Sequence, residues 1–108
     1  MSLPPLTHLQ FLVLGILREG LQLGSQVREE LAAHGVDKSG PAFYQLMARL
    51  EDGGLVIGRY DIIDVDGQRL RQRAYRITAT GHRAWDTSRD FYLAAIRQFD
   101  PDRGLADA

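Results

Sequence analysis

Residues 55–78, LVIGRYDIIDVDGQRLRQRAYRIT, hold two β-rich runs on either side of Asp66-Gly67, and this dipeptide constrains the chain more than any other feature. Asp-Gly supplies the two positive-φ positions of a two-residue hairpin turn. The runs "LVIGRYDIID" and "RLRQRAYRIT" are therefore predicted to pair as one antiparallel hairpin. Side chains alternate along a strand, so Arg69, Arg71 and Arg73 fall on one face of the second run.

The other segments read as helices. In "PPLTHLQFLVLGILREG" Thr7 is a candidate cap and Gly20 a candidate stop, and Leu9, Leu12, Val13, Ile16 and Leu17 recur at helical spacing. Phe11 and Leu14 add a second apolar side, the pattern of a helix covered by more than its own core, which points to a partner chain. "GSQVREELAAHG" predicts a short amphipathic helix capped by Ser25 and ended by Gly35. "SGPAFYQLMARLEDGG" predicts a third, capped at Ser39 or Gly40, with Pro41 in its first turn. There Phe43, Met47 and Leu50 form the inward stripe, while Tyr44, Gln45, Ala48 and Arg49 face outward. After the hairpin, Thr78 or Thr80 opens a long helix that Pro101 stops.

Helix, helix, helix, hairpin, helix is the layout of a winged helix-turn-helix, an α+β but mostly α fold. The expected organisation is a DNA-binding region over residues 1–78, a C-terminal dimerisation helix over 79–100 and a flexible tail over 101–108, all in one globular unit. At 108 residues, 44% of them hydrophobic, the chain is large enough for one core and too small for two. It has no cysteine, which excludes disulfides and thiolate chemistry. "LTHLQFLVLGIL" is too short and too interrupted for a membrane span and lacks the basic head of a signal peptide, so a cytoplasmic protein is expected. His8, His34 and His82 show no metal spacing. Asp61, Asp64 and Asp66 have no nucleophile or base beside them. No metal, cofactor or catalytic activity is expected.

The net charge of -1 hides an uneven distribution. From Gly67 to Arg83 there are five arginines and no acid. A polyanion meets such local charge within a screening length. Two readings of Arg69, Arg71 and Arg73 follow: contact with DNA phosphates, or a solvated edge strand protected by charge. Tyr44, Gln45 and Arg49 are the candidates for entering a groove, since glutamine pairs with adenine and arginine with guanine. The other reading has Arg49 paired with Glu51 or Asp52 and Tyr44 merely packed. Lys38 and Ser39 precede the third helix, where a cation and open N–H groups hold a phosphate. On the last helix Trp85, Tyr92 and Phe99 lie seven apart, with Ser88 and Ile96 on the same side, which is a seam spacing.

"LGILREG", "YQLMARLEDGGLV" and "RQRAYRITATGHRAW" resemble the PadR family of bacterial transcriptional regulators, over roughly Leu6 to Phe99. The resemblance rests on Tyr44, Arg49, Leu50, Glu51, Gly54, Leu55, Tyr75, Arg76, Ile77, Thr78 and Gly81, and the single helix after the hairpin is similar to the family's short subgroup. It implies a homodimeric repressor of double-stranded operator DNA, with the third helix in the major groove and the hairpin along the backbone. It places the dimer interface on the first and last helices, at Leu9, Leu12, Val13, Trp85, Ser88, Tyr92, Ile96 and Phe99. It also implies a second role for Trp85, lining a pocket for a flat aromatic effector. The chain departs from the family pattern at Ser39-Gly40-Pro41-Ala42, where Gly and Pro are exchanged and a hydroxyl is missing. It departs again at Ala48, where a basic residue is common, and at Leu23-Gly24-Ser25. These departures and the three aspartates support the rival reading, a winged-helix module that binds protein and not DNA.

Overall fold

A computed structural model of the protein describes residues 5–102. Helix α1 (His8–Leu17) leads through a short strand β1 (Gln22–Leu23) into α2 (Gly24–Ala33) and α3 (Gly40–Asp52). The hairpin β2 (Val56–Val65) and β3 (Gln68–Ile77) follows, then α4 (Ala79–Phe99). Of the expected tail 101–108, residues 103–108 lie outside the described residues.

Local signals account for most of the boundaries. Thr7 and Gln10 form a capping box on α1, the Thr7 hydroxyl accepting from the Gln10 backbone N–H at 3.2 Å and the Gln10 side-chain Oε1 from the Thr7 N–H at 3.0 Å. Ser39 caps α3 ahead of Pro41, and Thr78 caps α4. Gly54 takes a positive φ just past the end of α3. At the hairpin, Asp66 and Gly67 have φ of 52° and 82°, the two left-handed positions that the Asp-Gly pair predicts.

The structure adds one strand and moves one cap. The sheet has three strands in the order β1-β3-β2, because Gln22 and Leu23 pair with Tyr75 and Ala74. A two-residue strand carries no alternation for a pattern to reveal. Helix α2 also starts earlier than expected, because β1 runs straight into it with Leu23 at the cap. The Leu23 N–H donates to the Gln26 side chain at 2.8 Å, and Ser25 instead donates its hydroxyl to Gln72 of β3 at 2.7 Å.

The core is built from Val13, Leu14 and Leu17 of α1, Val27 and Leu31 of α2, and Phe43, Met47 and Leu50 of α3, closed by Val56, Tyr75 and Ile77 of the hairpin base. Helix α4 is pinned at its start. Gly81 is buried so tightly that a β-carbon there would collide with the Leu55 carbonyl and lie 2.8 Å from Ile77. Beyond that point α4 runs on for a total of 21 residues, about 31 Å at 1.5 Å per residue. The molecule measures 55 × 26 × 22 Å, an elongated shape. Among the described residues no helix is long and apolar enough to cross a membrane.

Candidate nucleic-acid interface

The hairpin register fixes what shares a face with the arginines. Val56 pairs with Ile77, Gly58 with Tyr75, Tyr60 with Arg73, Ile62 with Arg71 and Asp64 with Arg69. Directly paired residues point the same way, so the arginine row continues the row that supplies Tyr75 and Ile77 to the core. The basic face of the wing therefore lies on the side of the helices.

Three arginines that look alike in sequence have three surroundings. Arg73 makes an ion pair with Glu51 at the end of α3. The pair lies directly over Gly58, where a β-carbon would overlap both the Glu51 carboxylate and the Arg73 guanidinium. Partial burial works against the charge of Arg73, but the Glu51 carboxylate bonded to it holds its pKa above the ordinary value. Burial pushes the Tyr75 hydroxyl up, against the Arg73 guanidinium beside it. Arg71 lies with its guanidinium 4.3 Å from the centre of the Tyr60 ring. Arg69 stands at the exposed tip across from Asp64. The acid-free stretch read along the sequence is thus not acid-free in space, because Glu51 and Asp64 come to it from other segments. Asp61 lies on the opposite face of β2, paired with Arg59 at 3.1 Å.

Helix α3 presents Tyr44, Gln45, Ala48 and Arg49 outward, as its spacing predicts. Tyr44, Tyr60, Arg71, Gln72 and Arg73 line one cavity of about 340 Å³, so the wing's arginine face and the start of α3 form a single concave surface. Gly24 makes this approach possible, since a β-carbon there would sit 3.0 Å from the Tyr44 hydroxyl and 3.4 Å from the Arg73 carbonyl. Arg49 is not paired with Glu51, whose carboxylate is taken by Arg73. Lys38 and Ser39 sit at the entry to α3. The Ser39 hydroxyl accepts from the Ala42 N–H at 3.3 Å, and Arg28 donates to the Lys38 carbonyl at 2.8 Å. His82, read as part of the basic region, is exposed in the first turn of α4, and Arg76 is exposed on the other face of β3.

The seam residues divide. Trp85 stacks on Phe11 of α1 at 5.2 Å between ring centres and 5° between planes. Tyr92 packs on Phe11 as well, and its hydroxyl reaches His8 Nδ1 at 3.1 Å. Val13 and Ser88 are wholly buried inside the chain and have no surface to offer a second copy. Leu9 and Leu12 are half-buried, while Ile96 and Phe99 are open, Phe99 being 80% exposed. Among the described residues the Trp85 indole N–H is buried without a hydrogen-bond partner, beside Gly15. A cavity of about 270 Å³ adjoins it, between Phe11, Leu12, Gly15, Glu19 and Glu30.

Sequence reasoning missed Glu51 as the partner of Arg73, Gly58 as the space for that pair, and Tyr60 as the platform under Arg71. One signal was present: a glycine inside a strand marks a site where something approaches closely.

The model of the transcriptional regulator PadR-like family matches residues 13–87, more than half of the chain. No curated protein matches it significantly. Among solved structures, it is similar to a PadR family transcriptional regulator from Eggerthella lenta DSM 2243, at 29% identity over 83% of this chain and 76% of that one, with a TM-score of 0.67. It also resembles in fold a PadR-like transcriptional regulator from Bacillus cereus, at 18% identity, 86% and 88% coverage and a TM-score of 0.72. A third likeness of fold is to Bacillus subtilis PadR in complex with operator DNA, at 20% identity over 80% of this chain and 47% of that one, with a TM-score of 0.60.

Proposed function

The chain belongs to the PadR-like family of transcriptional regulators, and from that premise we propose that it is a cytoplasmic homodimeric repressor that grips a roughly palindromic operator with two α3–wing surfaces. The observation that carries this reading is the shared cavity of Tyr44, Tyr60, Arg71 and Arg73, which turns α3 and the wing into one concave, basic surface. Tyr44 and Gln45 enter the major groove, and Ala48, one turn on from Tyr44, is short enough to let the helix backbone approach the base edges. Arg69 and Arg71 hold phosphates, which sets register without specifying sequence. Lys38 and Ser39 add a phosphate contact at the entry to α3.

Residues 1–78 make up the DNA-binding part and 79–100 the dimerisation helix in this reading. Its support is the apolar end of α4, where Phe99 is 80% exposed and Ile96 partly exposed among the described residues, together with half-buried Leu9 and Leu12 of α1. Two copies joined there read half-sites about 10 base pairs apart, or a multiple of that spacing. The effector is a flat aromatic molecule whose oxygen accepts from the unpartnered Trp85 indole, beside Phe11.

The test is a fluorescence-anisotropy titration against a duplex from upstream of the protein's own coding region and against a scrambled duplex, at several salt concentrations, with sedimentation run alongside. The expected result is a dimer that prefers the upstream duplex and weakens steeply with salt. A monomer that binds neither duplex at low salt would overturn the proposal and leave the protein-binding module.

A further inference from the structure

On the side of α3 away from the wing, a second cavity of about 420 Å³ opens between that helix and the N-terminal end of α1. Thr7, His8 and Gln10 form one wall, and Lys38, Gln45 and Arg49 form the other. Among the described residues no carboxylate lines it, although acids outnumber bases in the whole chain, 14 to 13. Among the described residues neither Lys38 nor Arg49 takes part in an ion pair. The contrast with the wing side is direct, because there Arg73 is already held by Glu51.

Helical geometry gives this cavity its meaning. Outward residues of α3 fall in two rows, Tyr44 with Ala48 toward the wing and Gln45 with Arg49 toward α1. A helix with its side chains is about 10–12 Å across and the major groove is about 12 Å wide, so a helix seated there has a phosphate backbone along each flank. The wing serves one flank only.

We propose that the α1–α3 cavity holds a DNA backbone phosphate on the opposite flank, with Lys38 and Arg49 as its cations and Thr7, His8 and Gln10 as polar neighbours. This rests on the operator-binding reading above and changes one assignment within it. Arg49, which the sequence suggests as a reader of guanine, is a backbone contact, and base reading is left to Tyr44 and Gln45. The recognition helix is then clasped from both sides.

The experiment compares Lys38→Ala with Arg49→Ala, Arg49→Lys and Arg69→Ala with Arg71→Ala in the full-length protein, titrated against the upstream and scrambled duplexes across a salt series. A melting curve for each variant checks that it is folded. The expected result for Lys38→Ala with Arg49→Ala is an equal fold-loss on both duplexes and a salt slope lower by about 0.9 for each residue removed. Arg49→Lys should restore most of the slope, since lysine serves a phosphate as a point charge but cannot replace the bidentate fork a guanine needs. Loss confined to the upstream duplex, with Arg49→Lys as defective as Arg49→Ala, would overturn the proposal in favour of base reading. An unchanged slope for the cavity variants, while the wing variants lower it, would overturn the cavity and leave the wing reading intact. If the unaltered protein binds neither duplex, both readings fall together.

Discussion

The base and the tip of the wing lie on the same face of the same two strands, yet they do opposite things. At the base, Tyr75 is 1% exposed and closes the core with Ile77. Four and six residues back along β3, Arg71 and Arg69 stand in solvent opposite Ile62 and Asp64. Nothing in the alternation distinguishes these positions. What differs is whether a helix lies over them: α1, α2 and α3 cover the base, and among the described residues none covers the tip. Arg73 marks the boundary, near enough to α3 to be captured by Glu51 and far enough from the core to remain charged. The two halves of α4 teach the same lesson, because Trp85 is taken up by Phe11 while Phe99 is left 80% exposed among the described residues.

The sharpest way to break this comparison is to remove a large side chain at each end. Tyr75→Ala should lower the unfolding free energy by about 3–5 kcal/mol, the cost of truncating a large aromatic in a packed core. Ile62→Ala, on the same face at the tip, should stay within about 0.5 kcal/mol of the parent. Urea unfolding midpoints at equal m-value measure both. Comparable losses for the two would mean that the tip is covered and that the arginine face is not open.

At the boundary, Glu51→Gln should cost about 1 kcal/mol, since it removes the carboxylate from a partly exposed charge-assisted pair and keeps its shape. Gly58 sharpens the point. Adding a β-carbon at position 58 displaces the pair, yet leaving glycine out of a strand interior is favourable by roughly 0.5–1 kcal/mol. Gly58→Ala should therefore be neutral or destabilising in the parent and less costly in the Glu51→Gln background, where the side chains to be displaced are no longer held as an ion pair. Additive effects in that double-mutant cycle would show that Gly58 does not serve the ion pair.

Features of short range were the legible ones. Asp66-Gly67 set the hairpin, Thr7, Ser39 and Thr78 set helix starts, and Phe43, Met47 and Leu50 gave the inward face of α3. The illegible ones depend on which elements meet. Glu51 and Arg73 lie 22 residues apart, and no local pattern selects Arg73 over Arg49 as the partner of Glu51. Ser25 lost its expected cap because β1 is only two residues long and delivers the chain into α2 at Gly24. The heptad spacing of Trp85, Tyr92 and Phe99 named a stripe correctly but not what covers it, since Phe11 of the same chain already covers the first two. Periodicity yields a face, and only the packed neighbours decide between core, interface and ligand.

A small effect on stability is expected at Arg71, and it separates the two arginines that the sequence treats alike. Arg71→Ala removes only a cation–π contact with exposed Tyr60, 4.3 Å from the ring centre, so unfolding should change by less than about 1 kcal/mol. Its loss should appear in DNA titrations as a salt slope smaller by about 0.9. Arg73→Ala should do the reverse, lowering stability by leaving Glu51 without its partner over Gly58 while changing the slope less than Arg71→Ala. Releasing Arg73 through Glu51→Gln completes the argument, because a guanidinium freed at the boundary joins the open face of the wing. That variant should bind DNA with a steeper salt dependence than the parent despite being less stable. An unaltered slope would mean that the base of the wing lies beyond the reach of the DNA backbone, and that contact begins at Arg71.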